Sequence, residues 1–186
     1  YTPFASLSDA DAQNSITCLS PAKSFNIAAC CAAFTVVPDA TRRAAFQAEN
    51  SRLTVNKNNA FASAAMQAAY AGGGPWLDAA CAYIEGNLDL VRTRLATIDG
   101  VDLIAPEGTF LAWLDFRKLA LAPDDLTAFL RSRARWAITR GIAFGPQGAG
   151  FGRLNIACPR ARLSRALDDL EAATAAVPDY QDPARR

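Results

Sequence analysis

Histidine is absent from this 186-residue chain, which removes Ser-His-Asp and Cys-His catalysis and every His-ligated metal site. Charge is also sparse, at 20% charged residues and a net +1, so neither nucleic acid nor a charged partner surface is expected. The five cysteines, Cys18, Cys30, Cys31, Cys81 and Cys158, are odd in number and form no C-x-x-C pair. They predict small buried hydrophobes in a reducing, cytoplasmic compartment, with neither disulfides nor metal. Long apolar runs are missing too. Ile27 to Val37 falls short of the roughly 20 residues of a membrane helix, and the uncharged run Asn58 to Leu77 is broken by Gly72-Gly73-Gly74-Pro75. No membrane span and no signal peptide are expected. Methionine occurs only as Met66 and the chain opens on Tyr1, which suggests a segment of something longer. Lysine occurs only as Lys23, Lys57 and Lys118.

What remains is ample for a core. Hydrophobic residues make up 51% of the chain, and a chain of this length buries roughly 70% of its unfolded surface. Tyr1 to Gln13 predicts a loop or short helical turn. Ser15 to Leu19 and Cys31 to Val37 predict two buried strands flanking a loop that carries Lys23. Helices are expected from Asp39 to Gln47, with Asp39 or Thr41 as N-cap, and from Ala60 to Tyr70. The run Leu77, Cys81, Ile84, Leu88, Val91 and Leu95 marks one apolar stripe of a long helix closed by Asp99-Gly100.

Beyond Gly100, Val101 to Ile104 and Thr109 to Phe116 predict strands, with Phe110, Ala112, Leu114 and Phe116 on one face. A helix opens at Pro123, with Gly141 at its C-cap position. Arg153 to Ala157 alternates, so a core-facing Leu154 and Ile156 would turn Arg153 and Asn155 to the other side. Pro159 starts a last helix that packs through Leu163, Leu167 and Leu170.

Lys23 is the residue that invites chemistry. A neutral lysine amine among apolar groups forms Schiff bases with carbonyl compounds, and Ser20 offers a hydroxyl to a phosphate oxygen. S-x-x-K alone also suits a serine β-lactamase-type site, whose further motifs are missing, and an ordinary exposed loop lysine explains it as well. By themselves these residues favour the ordinary lysine.

The surrounding string SPAKSFNIA, however, resembles the lysine segment of fold-type I pyridoxal-phosphate enzymes, most closely the cystathionine β-lyase-like branch of the class I/II aminotransferases. Three later stretches resemble the same branch in the same order: YIEGNLDLV, PEGTFLAWLDFR and GFGRLNIACPRARL. The resemblance implies an α/β fold, the C-terminal part of such an enzyme. It would comprise a partial large cofactor domain with a connecting helix over 1–98 and a small α+β domain over 99–186. It implies pyridoxal 5'-phosphate as cofactor in the intact protein, an amino-acid substrate, a homodimer, and an N-terminal half of the same protein as partner. Lys23 matches the lysine that forms the Schiff base and moves the Cα proton. Ser20 matches a phosphate-contacting serine, and Arg153 the arginine that grips the substrate α-carboxylate. The expected reaction is β-elimination from a cystathionine-like thioether; an aminotransferase, or a non-catalytic segment that only folds or associates, are the alternatives. Asn56 and Asn58 of VNKNNAF either contact phosphate across a dimer interface or belong to a polar loop. PEGTFLAWLDFR carries no catalytic role in this reading. Ala29 and Cys30 replace the family's frequent Gly-Leu, and Gly152 replaces a larger apolar residue.

Overall fold

A computed structural model describes residues 2–55, 57 and 59–177. The chain divides into two compact units, Tyr1–Ala79 and Ala80–Arg186.

The first unit opens with helix α1, Asp9–Gln13, whose Ser8 N-cap accepts the Asp11 N–H. Strands β1 (Thr17–Leu19) and β2 (Phe34–Val36) then pair antiparallel, with Leu19 opposite Phe34. Both strands are shorter and wetter than their sequences predict. Leu19 is 44% and Val36 43% exposed; a strand is buried by what packs on its faces, and a two-stranded ribbon supplies no such cover by itself. Helices α2 (Ala40–Arg52) and α3 (Ala60–Gly72) follow. Asp39 is the N-cap of α2, its carboxylate accepting the Arg42 N–H at 2.7 Å. Asn59 does the same for α3 through the Ala62 N–H. Each cap satisfies an amide the helix leaves open, a contribution of about 1 kcal/mol.

The buried apolar residues of this unit are small: Pro21, Ala32, Val37, Ala62 and Ala69. Several of its large side chains, Phe61, Tyr70 and Trp76 among them, are exposed. Cysteine is a further correction. All five are free, but none is buried: Cys18, Cys31 and Cys81 are exposed, and Cys30 and Cys158 half-buried.

Helix α4, Gly74–Leu95, contains the division between the units. Its predicted stripe buries only toward the C-terminal end, at Leu88, Val91 and Leu95, whereas Cys81 is exposed. The second unit holds the main core. Strands β3 (Asp102–Ile104), β4 (Leu111–Asp115), β5 (Thr139–Arg140) and β6 (Phe151–Asn155) form an antiparallel sheet in the order β3-β4-β6-β5. One face carries Ala112, Leu114, Leu154 and, just beyond β6, Ile156, and the alternation read in the sequence puts all four in the core. Helices α5 (Pro123–Ser132) and α6 (Arg160–Ala175) cover that face with Leu126, Leu130, Leu163, Leu167 and Leu170.

Gly141 does not cap α5, which ends at Ser132. The chain first folds back over the helix end, where the Trp136 N–H donates to the Leu130 carbonyl at 2.7 Å. Gly141 opens a separate 3-10 turn, Gly141–Phe144. Among the described residues, no helix is long and apolar enough to cross a membrane.

Candidate active site

Lys23 stands on a tight turn between β1 and β2. The Phe25 N–H donates to the Pro21 carbonyl at 2.9 Å and the Ile27 N–H to the Ala22 carbonyl at 3.0 Å, closing the chain around the lysine. Asn26 completes the turn in the left-handed region at φ 54°, which asparagine tolerates better than most residues. Pro21 is buried beneath it. Phe25 braces the turn from the other side, edge-on to Tyr70 at 5.9 Å and stacked on Trp76 at 6.4 Å. The middle residue of the triple glycine makes this possible, since a Cβ at Gly73 would lie 2.6 Å from the Phe25 ring. The Lys23 side chain is exposed, not lodged among apolar groups. Among the described residues it has no hydrogen-bond or ion-pair partner. Asn56 and Asn58 lie outside the described residues.

Ser20 is committed differently from the expectation. Its hydroxyl donates to the Ala32 carbonyl at 2.6 Å and accepts the Ala22 N–H at 3.2 Å. A hydroxyl has one proton to give, and here it ties the lysine turn to the start of β2.

In the second unit, Arg153 on β6 lies opposite Trp113 of β4 and Thr139 of β5. Core-facing Leu154 and Ile156 put it on the outer face, as the alternation predicts. The guanidinium lies over the Phe144 ring, 4.7 Å from its centroid. One Nη2–H reaches Thr139 Oγ1 at 3.4 Å. No acid bonds Arg153 among the described residues, which sets it apart from Arg117 on Asp115 and Arg94 on Asp168 and Glu171. A stacked guanidinium keeps its N–H groups in the ring plane free, the arrangement a carboxylate needs for two parallel bonds. The space left by Gly152 before this arginine is not open, because Ile138 Cδ1 would meet a Cβ there at 2.4 Å.

Two of the recognised stretches also lock together. Asn87 of YIEGN is fully buried. Its Nδ2 donates to the carbonyls of Ile156 and Cys158 at 2.8 and 2.9 Å, and its Oδ1 accepts from Arg160 Nε at 3.0 Å. Tyr83 accepts the Arg160 N–H at its hydroxyl and carries the guanidinium over its ring. This latch holds the end of β6, and with it the strand of Arg153, against α4. Sequence reasoning missed Asn87 and Phe144: an asparagine inside an amphipathic helix and a phenylalanine in a Gly-rich loop carry no periodic signal. Trp113 carried one, since it alternates with core-facing Ala112 and Leu114.

Lys23 and Ser20 belong to the first unit and Arg153 to the second. No family model matches the chain. It is 40% identical over 174 residues to cystathionine β-lyase PatB of Bacillus subtilis, covering 93% of this chain and 45% of that protein. To protein MalY of Escherichia coli it is 35% identical over 160 residues, covering 85% of this chain and 41% of that protein. The crystal structure of cystalysin from Treponema denticola, which contains pyridoxal 5'-phosphate, superposes with a TM-score of 0.87 at 26% identity. That match covers 96% of this chain and 45% of cystalysin. The chain spans less than half the length of the relatives it matches. Over nearly its whole length the chain is similar, in sequence to cystathionine β-lyase PatB and in fold to pyridoxal-phosphate-containing cystalysin, to the C-terminal portion of such enzymes.

Proposed function

We propose that the protein carrying this chain is a pyridoxal-phosphate-dependent carbon–sulfur β-lyase, a cytoplasmic homodimer acting on cystathionine-like thioethers. Within it, residues 1–98 would belong to the cofactor domain and its connecting helix, and residues 99–186 to the small domain. The observation that carries the reading is the similarity to PatB along the chain, joined to an exposed Lys23 on a braced turn.

The residues fit the cofactor in part. Lys23 has an exposed amine to bond the aldehyde. Ser20 would contact a phosphate oxygen only by turning its proton away from the Ala32 carbonyl. When bound, pyridoxal phosphate supplies an electron sink for breaking the substrate Cα–H bond. With the substrate amine in its place on the aldehyde, Lys23 Nζ would be free to take the Cα proton, and Arg153 would hold the α-carboxylate through its in-plane N–H groups. With the Cβ–S bond broken, the thiol departs, and hydrolysis of the remainder leaves pyruvate and ammonia.

Borohydride reduction after pyridoxal-phosphate loading, followed by peptide mapping, tests the anchor: label is expected on Lys23 over Lys57 and Lys118. Thiol release from cystathionine by the protein carrying this chain should vanish in Lys23→Ala; unchanged release sinks the assignment. Keto-acid-dependent amino transfer without pyruvate formation would make it an aminotransferase instead. For the chain alone, exposed Leu19, Val36, Phe61 and Trp76 favour a segment that associates before it can act. Turnover by the isolated monomer would refute that second reading.

A further inference from the structure

The outer face of the second unit's sheet carries a continuous row of π contacts that ends on Arg153. Its guanidinium lies over Phe144 at 4.7 Å. Phe144 meets Trp113 edge-to-face at 5.5 Å and 74°. Trp113 stacks on Phe151 at 5.8 Å and 18°, and Phe151 is covered by Arg117 at 4.6 Å. Arg117 is fixed in turn by Asp115. Trp113, Phe151 and Asp115 sit on paired strands, so the row has a rigid floor. Phe144 stands on the loop side and is 55% exposed.

The geometry points to Phe144 as a positioning residue that presets Arg153 for a carboxylate. An arginine on an open strand samples many rotamers, and each bond it makes must pay for ordering it. Here the ring takes one face of the guanidinium and Thr139 holds one corner. The N–H groups that Thr139 does not take lie in the plane of the guanidinium, where a carboxylate accepts two parallel bonds. Trp113 acts behind Phe144 by fixing the ring's tilt. The inference rests on the reading of Arg153 as a carboxylate site and adds what aims it.

Two measurements on the full chain separate the inference from that reading. In the first, nuclear relaxation of the Arg153 Nε–H compares the unsubstituted chain with Phe144→Leu, which keeps apolar volume and loses the ring, and Phe144→Tyr, which keeps the ring. The expected result is an ordered Nε–H in the unsubstituted chain and in Phe144→Tyr, and in Phe144→Leu one as mobile as that of exposed Arg131. Equal order in all three overturns the inference while leaving Arg153 available as a carboxylate site. In the second, acetate is titrated against the same signal with acetamide as the neutral control. Phe144→Leu should weaken the acetate response about two- to five-fold, the scale of an exposed cation–π contact, and Phe144→Tyr should restore it. If acetate moves the unsubstituted signal no more than acetamide does, the carboxylate reading fails and the inference falls with it. Unchanged circular dichroism and an unchanged Ile156 amide signal show that each variant is folded.

Discussion

Replacing Asn87 by alanine is the most searching perturbation of the second unit. The side chain is fully buried and makes three hydrogen bonds, donating two to backbone carbonyls and accepting one from Arg160. In Asn87→Ala, the Ile156 and Cys158 carbonyls lose their Asn87 bonds, and a polar group left unsatisfied in the interior costs about 1–3 kcal/mol. The deleted amide also leaves a small void. The sum is about 3–5 kcal/mol, a large share of the roughly 5–15 kcal/mol that holds a domain together. Native-state hydrogen exchange at the Ile156 amide, which donates to Phe110 at 3.0 Å, reads the loss locally. Protection should fall roughly 100-fold or more, since about 1.4 kcal/mol is a factor of ten. Asn87→Leu fills the volume but supplies no donors, so it should recover little. If Asn87→Leu is as stable as the parent, packing and not the paired donors holds the latch, and the account of how the YIEGN and ACPR stretches meet is wrong.

Three further outcomes are expected. The Arg117 guanidinium beside Asp115 holds that carboxyl below the ordinary aspartate range. Its contribution to stability is therefore complete above the ordinary value and is lost as pH falls through the lowered one; an NMR titration should show the Asp115 carboxyl moving back up in Arg117→Gln, and no change would refute the pairing. Burial pushes the Cys158 thiol up, opposed by Arg162, so at neutral pH iodoacetamide should label it more slowly than exposed Cys18, Cys31 and Cys81, as peptide mapping can measure. Leu167→Ala, at a fully buried site, should cost about 2–5 kcal/mol in urea unfolding. Leu19→Ser on the exposed ribbon should stay within about 0.5 kcal/mol; equal costs would contradict the unequal coring of the two units.

The sequence by itself determined the local order of the chain. Period-two alternation set the buried faces of β4 and β6, because side chains on a strand must alternate and only one face of this sheet meets the core. Asp39 and Pro159 announced helix starts through groups that act within one turn, and SPAKSFNIA identified the lysine turn through an ordered string of residues. Tertiary structure decided everything that depends on distant neighbours. The strands around Lys23 have apolar sequences yet are only partly covered, since burial depends on what packs on a strand and not on its composition. Ser20 spends its proton on the Ala32 carbonyl, twelve residues away. Asn87 and Arg160 meet across a separation of 73 residues, and Phe144 reaches Arg153 only because its loop folds back over the outer face of the sheet. Hydrogen bonds and ring contacts need ångström-scale placement, and no periodicity in a single sequence encodes that across such separations.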